Sequence, residues 1–100
     1  MNEQRFKIEN IESNEHIEVW KDHVNQILML YHKTNLSNCV LGKKIVDELK
    51  ALSQYCVDNE DTSTAFAYAG VLAGIRIFED DGLADDDIIF VKDMNLYVDA

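Results

Sequence analysis

Three histidines, two cysteines and nineteen acids are the residues of this 100-residue chain that could carry acid–base, nucleophilic or metal chemistry. His16 and His23 lie seven apart in a stretch of helical periodicity, and His32 follows nine residues later, offset from both. A helix that grips a metal presents ligands three or four apart, as in His-Glu-x-x-His. That spacing is absent, so surface histidines are expected. Cys39 is expected at the start of a helix with Lys43 one turn on, a setting in which helix amides and a cation depress a thiol pKa. A nucleophile also needs a positioned base and an oxyanion site, and the sequence presents neither. Cys39 therefore reads as a small buried hydrophobe, and Cys56, on an apolar helical face, as core.

The acids can be tested against a calcium loop. With Gly82 as the sixth position of an EF-hand, the first and twelfth would be Ile77 and Ile88, which cannot ligate. A looser cation site would have to use Asp81, Asp85 and Asp87. Gly42-Lys43-Lys44 fails as a phosphate loop, with Ser37 where the first glycine belongs and Lys44 where Ser or Thr is required. No catalytic residue, cofactor or metal ligand emerges, and the expectation is that the chain is not an enzyme.

Positioning such residues requires elements, and the periodicity predicts mainly helices. Ser13 or Asn14 can cap a first helix whose apolar stripe is Ile17, Trp20, Val24, Ile27, Leu28 and Tyr31, ending near Lys33. A second is predicted from Ser37 or Asn38 toward Val57, with Leu41, Ile45, Leu49, Leu52 and Cys56 inside and Lys43, Lys44, Asp47, Glu48 and Lys50 outside. A third is predicted from Ala65 to about Glu79, stopped by Asp81-Gly82, with Arg76 snorkelling to solvent or pairing with Glu79 or Asp80. In it Ala65, Ala69 and Ala73 recur every four residues beside Gly70 and Gly74. Such small rows let helices approach closely, either inside the domain or across a homodimer, so Ala69, Gly70, Ala73 and Gly74 are the candidate oligomer interface.

Ile88-Ile89-Phe90-Val91 and Leu96-Tyr97-Val98, separated by a polar turn, suit a hairpin that the Phe6–Ile8 stretch could join, with a fourth short helix as the rival. The fold class expected is thus mainly α: a compact bundle of three main helices with a C-terminal β-hairpin or fourth short helix, a small α+β arrangement being the variant. One domain spans residues 1–100, since a chain of this length closes a single core.

The formal net charge is -10, and residues 79–100 carry eight acids against the single base Lys92. A field of that sign repels nucleic acid and anionic lipid, so direct nucleic-acid and membrane partners are not expected. The longest apolar run, 65–78, is short of the ~20 residues of a membrane span. Two cysteines and no basic-then-apolar leader point to the cytoplasm. The expectation for function is a non-catalytic protein-binding module steered to a basic partner by Glu79, Asp80, Asp81, Asp85, Asp86 and Asp87. In its strongest form this is a small acidic inhibitor or nucleic-acid mimic from a phage or mobile element. The alternatives are a helical homo-oligomer with a structural or regulatory role, and a small-ligand binder whose pocket forms between protomers.

Overall fold

The computed structural model of the chain describes residues 2–11, 16–59 and 70–97. Along them run β1 (Glu3–Lys7), α1 (Ile17–Thr34), β2 (Asn38–Leu41), α2 (Lys43–Asp58), β3 (Val71–Leu72), β4 (Ile75–Glu79), β5 (Asp87–Val91) and a 3-10 turn (Met94–Leu96). The architecture is α+β, two helices on a mixed sheet, and this overturns the expected three-helix bundle. The sheet order is β1-β5-β2-β4-β3, four main strands with the two-residue β3 at one edge. β5 runs antiparallel to both its neighbours, and β2 and β4 are parallel. The parallel pair is joined through α2, the crossover that parallel neighbours require.

The predicted first helix is present. Its cap is His16, whose Nδ1 accepts from the Glu18 amide at 3.2 Å; Ser13, Asn14 and Glu15 lie outside the described residues. The helix closes at Asn35, whose left-handed φ of 58° lets its amide reach the Tyr31 carbonyl at 2.7 Å. The second helix starts later than predicted. Asn38–Leu41 is a central strand, with Cys39, Val40 and Leu41 buried, and the helix begins after Gly42. That glycine is required by a close approach: a Cβ there would stand 2.9 Å from the Ala84 carbonyl oxygen.

The largest correction concerns the predicted third helix. Its first residues, 65–69, lie outside the described residues, but 70–79 form an antiparallel hairpin. Leu72 pairs with Ile75 across the two-residue turn Ala73–Gly74, whose φ angles are 50° and 87°. Positive φ at both central positions is the geometry that matches strand twist, and glycine favours it. The Ala/Gly row is therefore not assembled on a helix: Gly70 sits in a bend at φ 80°, and Ala73 and Gly74 make the turn. What the helical spacing masked is the alternation Ile75-Arg76-Ile77-Phe78, buried, exposed, buried, half-buried. Arg76 accordingly stands exposed on a strand rather than on a helix. At the C-terminus the predicted hairpin is not formed among the described residues: β5 pairs with β1 and β2 and the chain turns at Met94–Leu96 instead, Val98 lying outside the described residues.

The apolar run of β5 divides between two faces. Ile88 and Phe90 join Cys39, Leu41, Ile75 and Ile77 beneath Val24 and Ile27 of α1 and Ile45, Leu49 and Leu52 of α2. Ile89 and Val91 join Val40 on the opposite face, under Phe78, Leu83, Met94 and Tyr97. No helix of the described residues is long and apolar enough to cross a membrane.

Candidate functional site

Two buried polar residues lie where α1 meets α2. His23 is 1% exposed and Glu48 6%, and Nδ1 of the imidazole lies 2.5 Å from the Glu48 Oε1. Both are on their helices' inner faces for a simple reason of spacing. His23 follows Trp20 by three and precedes Ile27 by four, and Glu48 follows Ile45 by three and precedes Leu52 by four. These positions correct the expectation that the histidines are all at the surface and Glu48 outside; His16 and His32 are exposed. The signal available in the sequence was the pair of titratable residues set into two apolar stripes. Among the described residues, Nε2 of His23 and the indole Nε1 of Trp20, one turn apart on α1, are buried without a hydrogen-bond partner. An unpaired buried polar atom costs about 1–3 kcal/mol, so two on one helix face are unusual in a settled interior.

Beside this pair is a groove of about 590 Å³, within the size range of small-ligand sites. Two turns of α2 form one wall, with Lys43, Asp47, Glu48 and Ala51 along it, while Trp20 of α1 and Asp85 of the β4–β5 loop complete the lining. Lys44 also lines it, at the start of α2. The loop is brought there by its hydrogen bonds: the Asp80 amide donates to the Leu41 carbonyl at 2.9 Å, and the Asp80 Oδ1 accepts the Gly82 amide at 2.8 Å. Asp80 thus ties the acidic turn to the end of β2, next to the first turn of α2.

The six acids singled out from the sequence separate into two groups. Asp80, 8% exposed, is held inside, its Oδ2 accepting the Tyr97 hydroxyl at 2.7 Å. Asp87 binds Lys7 and accepts the Ala84 amide at 3.0 Å, and Asp86 meets the same lysine at 3.5 Å. The Lys7 ammonium holds the Asp87 carboxyl below its ordinary pKa, and Asp87, with Asp86 beside it, raises that of Lys7. Glu79, Asp81 and Asp85 are exposed. The field of the first two reaches α2, since the Lys43 pKa is raised first by its bond to Asp47 at 3.0 Å and further by Glu79 and Asp81.

Cys39 is wholly buried in β2, where desolvation pushes its thiol pKa far up, so it lacks the thiolate that nucleophilic chemistry needs. Cys56 is buried on α2. Among the described residues no three His, Cys, Asp or Glu side chains are disposed to hold a metal ion, and the loose site considered for Asp81, Asp85 and Asp87 loses Asp87 to Lys7. Of the residues considered for an oligomer interface, Ala69 lies outside the described residues. Gly70, Ala73 and Gly74 fall in and beside the β3–β4 turn.

A second concavity, of about 410 Å³, lies on the far face of the sheet between Phe78, the Asp80–Gly82 turn, Met94 and Tyr97. Its two polar anchors, Asp80 and Tyr97, are bonded to each other, which makes it part of the fold's own closure. The groove differs in that its buried carboxylate, Glu48, bonds only through Oε1 among the described residues. Comparison of the chain with protein-family models, with curated proteins and with solved structures finds no match.

Proposed function

We propose that this chain is a non-catalytic protein-binding module of the cytoplasm that recognises a basic partner through the end of the sheet where Glu79, Asp81 and Asp85 lie exposed. The observation that carries the reading is the exposure of Glu79, Asp81 and Asp85 within one short turn, while the acids beside them are bonded internally. Carboxylates that converge on one surface steer a basic protein and set its orientation, an effect that weakens with salt. The buried thiol of Cys39 and the internal use of Asp80 and Asp87 favour binding over nucleophilic or metal chemistry.

The internal bonds decide which variant tests this. Neutralising Asp86 and Asp87 would remove the Lys7 contacts and disturb β1, so the informative variant is Glu79→Gln/Asp81→Asn/Asp85→Asn. A partner captured by the intact chain is identified and purified, and its affinity for both chains is measured by titration calorimetry at low and moderate salt. The expected result is a basic partner whose affinity falls with salt and falls at least tenfold in the triple variant. Binding that ignores both changes would count decisively against the reading.

A further inference from the structure

We infer that the α1–α2 groove is a receptor for one arginine side chain of the partner, with Glu48 as the carboxylate that takes the guanidinium and Trp20 as the aromatic wall beside it. The inference rests on the binding-module reading and names the recognition element within it.

Glu48 is 6% exposed. A carboxylate this deeply withdrawn from water requires compensation, and buried charges are ordinarily paired. Among the described residues its one hydrogen bond, at Oε1, is to the His23 imidazole, an ion pair when that ring is protonated, while the residue itself lines the groove. A guanidinium offers a planar fork of donors that matches a carboxylate and stacks on an indole face. His23 acts as a positioning residue: fully buried beneath, it fixes the Glu48 rotamer through Nδ1.

The charges around the groove favour a cation. Asp47, Glu48 and Asp85 outnumber Lys43 and Lys44, and the Lys43 ammonium is engaged by Asp47 within the field of Glu79 and Asp81. The opposing case is an anion at the first turn of α2, where Gly42 leaves the cap without a side-chain hydrogen bond and two lysines follow. That case leaves the buried Glu48 facing a like charge, which is why the cationic occupant is preferred.

Trp20 is the sole tryptophan, so its emission reports the groove without a label. The probe is N-acetyl-arginine amide, titrated against the full chain, with N-acetyl-glutamine amide and inorganic phosphate as separate arms. The expected result is a saturable change with the arginine amide alone, weakened about ten- to a hundredfold in Glu48→Gln, as loss of a charge-assisted hydrogen bond implies. Circular dichroism establishes whether Glu48→Gln is folded. Should it not be, Asp85→Asn, which removes an exposed charge, must weaken binding, and Ala51→Gln, which narrows the groove from the helix wall, must abolish it.

No saturable change, an equal response to the glutamine amide or to phosphate, or arginine binding that persists unchanged in the folded variants would each overturn the inference. These outcomes are separable from the broader reading. A partner whose affinity depends on Glu79, Asp81 and Asp85 while the groove ignores arginine leaves the module and removes the pocket.

Discussion

The two faces of the sheet are equally dry and differently built. Ile88 is 0% exposed and Ile89 1%, although they are neighbours in β5 and point in opposite directions. Above Ile88 lie two long helices whose inner stripes interlock with the strands. Among the described residues, the cover over Ile89 is a few side chains, Phe78 of β4 with Leu83, Met94 and Tyr97 from the irregular segments, held by the Tyr97–Asp80 bond and by the Asn2 side chain, which accepts the Asp93 amide at 3.0 Å. The difference teaches that burial alone does not measure rigidity. A cover made of regular elements resists collapse around a defect, whereas a thin strap can follow the void inward.

The sharpest way to break this comparison is to make the same truncation on both faces. Ile88→Ala should cost about 4–5 kcal/mol and Ile89→Ala about 2–3 kcal/mol in denaturant unfolding, the range for such changes being set by how well the site relaxes. Equal costs would mean that the strap is as unyielding as the helices.

β4 serves both faces through the alternation of its side chains, and the turn that leads into it tests the fold itself. At a φ of 87°, Gly74→Ala should destabilise by about 1–2 kcal/mol. A helix over the same residues would instead gain about 1 kcal/mol from the change, so the sign of the shift in thermal midpoint separates hairpin from helix.

Removing the pin of the strap should have a smaller effect. Tyr97→Phe is expected to cost about 1–2 kcal/mol, read in the same unfolding assay, and to speed amide hydrogen exchange in Met94–Leu96 while leaving α1 and α2 protected. Uniform loss of protection would erase the distinction between the two covers.

The smallest expected effect lies at the β1 edge of the second face, and it depends on pH. Asp87 has a lowered pKa, so its bond to Lys7 stabilises above the ordinary 3.8 and is lost as pH falls through the lower folded value. Lys7 has a raised pKa, so its contribution holds below the ordinary 10.5 and is lost as pH rises past the folded value. Asp87→Asn should lower the thermal midpoint at neutral pH, and the difference from the parent chain should close toward both extremes. A difference independent of pH would assign the role of Asp87 to its Ala84 hydrogen bond instead.

How far the molecule could be read in advance varies by segment. The stripe of α1 was legible because 18 residues repeat a helical period often enough to exclude a strand. The apolar run 88–91 suited a strand or a short helix, since four residues are too few for periodicity to separate the two; with both faces buried, it is covered on both sides in the sheet. The region 70–79 misled because alanine and glycine at four-residue spacing imitate a close-packed helix. The competing sign, β-branched residues at alternate positions after an Ala-Gly turn, is only a few residues long. At the candidate site the sequence marked Glu79, Asp81 and Asp85 as acidic without revealing that Asp80, Asp86 and Asp87 are used internally. It left His23 and Glu48 unpaired because they are 25 residues apart, on different helices.

The sign and location of the charge, the existence of α1 and most of α2 follow from composition and short-range period alone, whereas for 88–91 the same signals left strand and short helix both open. Only the tertiary structure decided that 38–41 and 75–79 are strands, that His23 meets Glu48, and which acids face solvent. Those outcomes depend on pairing between distant segments, where a strand gains its hydrogen bonds and a buried carboxylate its partner from residues that no local pattern brings together.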